Sequence, residues 1–172
     1  MNIFLIGFMG CGKSSLGKKL AKKKNFNFID LDNVIETKEG LSVDEIFNIK
    51  GEAYFRLLES DLLSSIETEN SIIALGGGTP CHSNNMQLIN ELGVSIYLQM
   101  NSGLLTDRLF NSKQTRPLIE AVKSDKQKLN ELVVSLLNQR EVFYSKATIS
   151  FEASNMTSTK LGYLIEMIDY IK

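Results

Sequence analysis

Short apolar runs alternate along the chain with longer stretches whose apolar positions recur at three- and four-residue intervals. The runs predict strands over residues 2–6, 26–29, 71–75, 94–99 and 148–151. The periodic stretches predict helices over 13–23, 33–39, 43–50, 52–67, 83–91, 102–109, 126–144 and 158–170. Ser42-Val43-Asp44-Glu45 ahead of Ile46-Phe47 is a capping-box start, and Ser83 after Pro80 can cap the helix that follows. Continuous apolar strands interleaved with amphipathic helices define an α/β fold, a parallel sheet with helices on both faces. Nothing repeats internally and no low-complexity linker divides the chain, so one domain is expected. Residues about 31–60 and about 111–125 carry helix or loop that a minimal strand-helix-strand unit does not need, and read as a substrate-binding insertion and a lid.

Composition narrows the function classes. The chain has 172 residues, 43% of them apolar and 23% charged, with a net charge of −1. That balance gives no general attraction to nucleic acid or an anionic membrane, so any anion must be held by locally placed Lys and Arg. The basic stretch Lys18 to Lys24 reads as the solvated side of the first helix. Two cysteines far apart, Cys11 and Cys81, and a single histidine support neither a disulfide framework nor a zinc site. No signal-peptide pattern is visible, and no apolar run approaches the roughly 18 residues of a membrane span. A monomeric cytoplasmic protein is expected.

The first strand runs into Gly7-Phe8-Met9-Gly10-Cys11-Gly12-Lys13-Ser14. G-x-x-x-x-G-K-S between strand and helix is a phosphate-binding loop, with glycines that let backbone N–H groups curl round phosphate oxygens. In it Lys13 reaches the β- and γ-phosphates of a nucleotide and the Ser14 hydroxyl ligates Mg²⁺. Cys11, near a helix N-terminus, is a position where a thiol can become reactive, and bound ATP should then slow its alkylation.

Asp30-Leu31-Asp32 follows the second strand, where open α/β sheets hold ligands. One carboxylate would serve near Mg²⁺ and one would accept from a substrate hydroxyl; alternatively, Asp32 is only the N-cap of the next helix. Gly76-Gly77-Gly78 ends the third strand and allows backbone N–H groups to approach a ligand, although glycines also serve ordinary turns. Cys81-His82 lacks a nucleophile-base-orienter arrangement, and His82 is given no role. Arg140 falls on the apolar face of its helix, where it either meets an anion or packs its stem and keeps its head in water. Arg56 has Glu52 and Glu59 at ion-pairing spacing, which explains it as a surface pair. Arg116, in the lid stretch, is either a charge clamp on a transferring phosphoryl group or a plain loop residue.

Taken together, Gly7 to Ser14, Asp30-Leu31-Asp32, Gly51-Glu52 through Phe55-Arg56, Gly76-Gly77-Gly78, Arg116-Pro117-Leu118 and Arg140 with Tyr144 resemble shikimate kinase along the whole chain. The resemblance implies a five-stranded parallel sheet in the order 2-3-1-4-5. It implies ATP-dependent phosphorylation of the 3-hydroxyl of shikimate within chorismate and aromatic amino-acid biosynthesis. It implies that Gly10, Cys11, Gly12, Lys13, Ser14 and Ser15 bind ATP, with Ser14 on Mg²⁺ and Asp30 near the metal through water. Asp32 becomes the candidate base and substrate contact. Arg56 and Arg140 become carboxylate holders, Gly77 and Gly78 backbone contacts, and Lys13 and Arg116 catalytic cations. On the adenine side Arg108 is the nearest match to a family arginine, and the 153–157 loop lacks the Arg commonly found there, leaving Asn155. The competing readings are another small-molecule kinase of the same fold, such as a gluconate-type enzyme, and a non-catalytic nucleotide-binding module.

Overall fold

Ile3, Phe4, Leu5 and Ile6 have no exposed surface, as a strand covered on both faces requires. In the computed structural model, which describes residues 1–114 and 116–171, they form the centre of a five-stranded parallel sheet. The strands are β1 (Asn2–Ile6), β2 (Asn27–Asp30), β3 (Ser71–Ala74), β4 (Gly93–Gln99) and β5 (Ile149–Glu152), in the order β2-β3-β1-β4-β5. That is the order expected from the family resemblance. Ile3 pairs with Ile72 on one side and Val94 on the other, which fixes β1 in register between β3 and β4.

Alternation along β1 feeds two cores. Ile3 and Leu5 face one cluster with α1 (Lys13–Lys24), α5 (Ser102–Asn111), the first half of α6 (Lys126–Tyr144) and α7 (Ser158–Tyr170). Phe4 and Ile6 face the other, with α2 (Leu31–Glu39), α3 (Val43–Ser64), α4 (Asn85–Leu92) and Tyr144 at the end of α6. Among the described residues no helix is long and apolar enough to cross a membrane. Both cysteines are free thiols.

Several boundaries differ from the sequence expectations, each for a local reason. β2 runs one residue further, because Asp30 still pairs with Ala74. α2 therefore starts at Leu31, and Asp30 occupies the N-cap position without a side-chain cap bond. Asp32 sits inside the first turn and is not the cap. Ser83 does not cap α4: it holds a left-handed φ of 51°, and the helix begins two residues later, at Asn85. A 3₁₀ turn over Thr79–Cys81 precedes it, and another over Pro117–Val122 gives structure to part of the expected lid loop. Thr115, in that stretch, lies outside the described residues.

The two helices expected over 43–50 and 52–67 are one helical segment, α3, bent at Gly51, where φ is 82° and ψ 165°. Ser42 and Glu45 make the full capping box at its start. An L side chain rarely adopts the Gly51 conformation even though the space around it is open. Gly51→Ala should therefore destabilise the protein by about 1–3 kcal/mol through backbone strain alone. Urea unfolding would check this, and an unchanged midpoint would contradict it.

Candidate active site

Three adjacent strands, β2, β3 and β1, end side by side, so Asp30, the glycine run and the phosphate loop open onto one cleft of about 440 Å³. Gly12 caps α1 with φ at 100°, and Gly10 holds φ at 83°, which gives the loop its tight curl. The Lys13 ammonium lies across the loop, donating to the Gly7 carbonyl at 2.8 Å and the Phe8 carbonyl at 3.1 Å. The Ser14 hydroxyl donates to Asp30 Oδ2 at 2.6 Å, joining the loop to the end of β2. Ser15 and Gly10 also line the cleft.

Cys11 belongs to the core. It is 3% exposed and does not line the cleft, and its N–H donates to the Phe8 carbonyl at 3.2 Å. Its burial removes the basis for the reactive-thiol reading. Arg108 and Asn155 are likewise outside the cleft lining, but Arg108 reaches the loop, donating from Nη1 to the Gly10 carbonyl at 3.1 Å. Asn155 takes a left-handed φ of 48° in its turn.

The rest of the cleft lining comes largely from α2, α3, the glycine run and α6. Arg56 is no plain surface pair: its side chain is 11% exposed and sits beside the Phe55 ring, 5.4 Å from the centroid. It donates to Glu52 Oε1 at 2.8 Å and to Glu59 Oε2 at 2.6 Å. Glu59 is fully buried and its other oxygen accepts from the Thr79 hydroxyl. A Cβ on Gly76 would lie 2.5 Å from Glu59 Oε1, so only glycine fits there. Arg140 is 8% exposed, with its guanidinium over the Phe8 ring and lining the cleft, which favours the reading in which it meets an anion. Arg116 lines the same cleft and donates from Nη2 to Gln114 Oε1 at 2.7 Å.

Among the described residues, the buried side-chain polar atoms without a partner are Asp32 Oδ1, Arg116 Nε and Arg140 Nη1. All three residues line this cleft. Buried unpaired polar atoms are costly, so their concentration in one place marks where a polar ligand completes the structure. Burial, reinforced by the Glu59 and Asp30 carboxylates, pushes the Asp32 carboxyl up to about 6 against the opposing pull of Lys13. A carboxyl in that range can take and return a proton near neutral pH. No cluster of three or more His, Cys, Asp or Glu that could cage a metal occurs among the described residues. The Ser14 hydroxyl and Asp30 carboxylate are hard oxygen donors, and such a pair fits Mg²⁺, which is held mainly by phosphates and water.

Sequence reasoning placed Lys13, Ser14, Asp30, Asp32, Arg56, Gly77, Gly78, Arg116 and Arg140 at what proves to be one cleft. It missed Glu59 and Thr79. The signal for Glu59 was present: it shares the buried face of α3 with Phe55, Leu58 and Leu63, the criterion that singled out Arg140.

A phosphate loop opening α1 beneath this sheet order defines a P-loop kinase. The chain belongs to the shikimate kinase family, whose model matches residues 9–169. A shikimate kinase from Azobacteroides pseudotrichonymphae is 43% identical over 90% of this chain and 91% of that protein. The crystal structure of shikimate kinase from Bacteroides thetaiotaomicron superposes with a TM-score of 0.91 at 36% identity, covering 98% of each chain. Shikimate kinase from Acinetobacter baumannii in complex with shikimate superposes at 0.87, with 28% identity, covering 99% of this chain and 94% of that one.

The raised Asp32 carboxyl has a consequence for stability. The folded protein keeps this proton where the unfolded chain has lost it, so stability falls as pH rises from about 4 to about 6 and the full cost remains above. Asp32→Asn should therefore be more stable than the parent by about 3 kcal/mol at pH 7.5, with the advantage gone at pH 4. Urea unfolding at the two pH values checks this; an equal offset at both would contradict it.

Proposed function

We propose that this chain transfers the γ-phosphoryl group of ATP to the 3-hydroxyl of shikimate, with the cleft residues dividing the work as follows. The loop amides and Lys13 hold the ATP phosphates. Ser14 and, through water, Asp30 hold Mg²⁺, which when bound neutralises charge on the phosphates. Arg140 and Arg56 take the shikimate carboxylate, for which guanidinium forks suit planar two-point pairing. Asp32 accepts the proton of the attacking hydroxyl. Residues about 31–60 act as the acceptor-binding insertion and residues about 111–125 as the lid. Arg116 is carried by that lid and balances charge on the moving group. Gly77 and Gly78 offer backbone contacts to the acceptor, and Arg108 and Asn155 serve the nucleotide side.

One observation carries the reading: Arg140 Nη1 and Asp32 Oδ1 are both buried without a partner beside the glycine run, and the Asp32 carboxyl is raised. A nucleotide-binding module without chemistry has no use for either group. The shikimate bound in the Acinetobacter baumannii relative supports the choice of acceptor. Free thiols fit a reducing cytoplasm, and we assign the chain there as a monomer.

Coupled ADP release tests the reaction: turnover should depend on shikimate with Mg-ATP, while gluconate or a nucleoside monophosphate should not replace it. No shikimate-dependent turnover at millimolar concentration would end the proposal. Arg140→Ala should raise the shikimate Kd about 100-fold while ATP affinity survives, because it removes one partner of a buried charged contact. Equal loss of both affinities in calorimetry would refute the assignment. The kcat/KM for shikimate should fall about tenfold per pH unit below about 6, as Asp32 takes up its proton. Asp32→Asn should lose most of kcat and keep ATP affinity; an unchanged kcat would remove the base role.

A further inference from the structure

Tyr144, one turn beyond Arg140 on α6, has no exposed surface and takes no part in the proposed chemistry. Its hydroxyl donates to the Gly77 carbonyl at 2.5 Å. Gly77 and Gly78 line the cleft, and a Cβ on Gly77 would lie 3.3 Å from Arg140 Nη1. The peptide joining them is trans, so its carbonyl and its N–H point to opposite sides. Tyr144 lies in the core beneath the glycine run, packed 5.0 Å from the Tyr97 ring. A carbonyl drawn down to that hydroxyl turns the Gly78 N–H up towards the cleft. None of the described residues accepts this N–H.

From this geometry we infer that Tyr144 is a positioning residue for the acceptor subsite. By holding the Gly77 carbonyl, it aims the Gly78 N–H at an anionic or hydroxyl oxygen of the acceptor, in register with Arg140 on the same helix. α6 thus sets two donors at once, one directly through the Arg140 guanidinium and one through a peptide plane that Tyr144 rotates into place. Without the hydroxyl this plane is free to turn, because glycine on both sides imposes no preference of its own. The acceptor then meets a donor that is present but no longer fixed, and loses affinity. The Tyr144 hydroxyl bonds to the Gly77 carbonyl and not to the phosphate loop, so the nucleotide half of the cleft keeps its own hydrogen bonds.

The inference rests on the acceptor being shikimate, and the wild-type shikimate KM in the same series tests that reading separately. Tyr144→Phe keeps the buried ring and removes only the hydroxyl. It should raise the shikimate KM about tenfold, leaving kcat and the ATP KM within about twofold. Tyr97→Phe is the control for packing: it alters the neighbouring ring, whose hydroxyl donates to Glu141 Oε2 at 2.6 Å, and should move neither KM. An unchanged shikimate KM in Tyr144→Phe, a matching rise in both KM values, or the same rise in Tyr97→Phe would overturn the proposal. So would failure of Tyr144→Phe to fold where Tyr97→Phe folds, because the hydroxyl would then be a structural requirement.

Discussion

Glu59 is fully buried, and its two oxygens are committed in two directions. One accepts from Arg56 and the other from Thr79, so a single carboxylate ties α3 to the turn that follows β3. The absence of a side chain on Gly76 is what lets it reach that far. Breaking a buried ion pair by removing one partner costs about 3–5 kcal/mol, because the charge left behind has nowhere to go. Glu59 therefore does more than hold Arg56. It fixes the distance between α3 and the glycine run, and its charge is the main electrostatic reason, after burial, that Asp32 keeps its proton up to about pH 6. A helix contact, a strand-end turn and the protonation of the Asp32 carboxyl all depend on one oxygen pair.

The same arrangement separates the two arginines that line the cleft beside the glycine run. Arg56 already has carboxylate partners on two sides, so an incoming carboxylate must share it or displace Glu52, the more exposed of the two. Arg140 keeps one guanidinium nitrogen buried and unpaired. A carboxylate that reaches Arg140 repairs a standing cost, whereas one that reaches Arg56 exchanges one pair for another. Equal formal charges thus contribute unequally, and Arg140 is the stronger determinant of acceptor affinity.

The parts that could be read from the chain are those with a local signature. Five apolar runs gave the strands within a residue at every end, and the phosphate loop was plain because its glycines, lysine and serine fall within eight residues. The strand order came from resemblance, since periodicity carries no information on which strands are neighbours. Boundaries failed where pairing overrode propensity. Asp30 reads as the start of a turn, but its pairing with Ala74 keeps it in β2 and moves Asp32 into the helix. The bend at Gly51 was hidden because the helical pattern continues on both sides of it. Glu59 was dismissed because Arg56 three residues away supplies a cheap surface explanation. Only the packing shows that the pair faces inward.

The two halves of the cleft are prepared differently, and this bears on how substrates enter. In the donor half, Lys13 and the Cys11 N–H both bond to the Phe8 carbonyl, and Ser14 bonds to Asp30. A phosphate that takes the Lys13 ammonium, the Ser14 hydroxyl or the Cys11 N–H replaces an internal hydrogen bond, and such exchanges contribute little net free energy per bond. Nucleotide affinity must then come from the number of contacts and the helix N-terminus, not from relief of strain. In the acceptor half, Asp32 and Arg140 each keep a buried atom without a partner, and Arg116 brings a third from the lid stretch. Pairing those atoms yields more per contact, so a small acceptor with few atoms can still bind selectively. The arrangement also penalises a wrong acceptor. A molecule lacking the carboxylate or the hydroxyl excludes water from the cleft yet leaves those atoms unpaired, and discrimination follows from that cost.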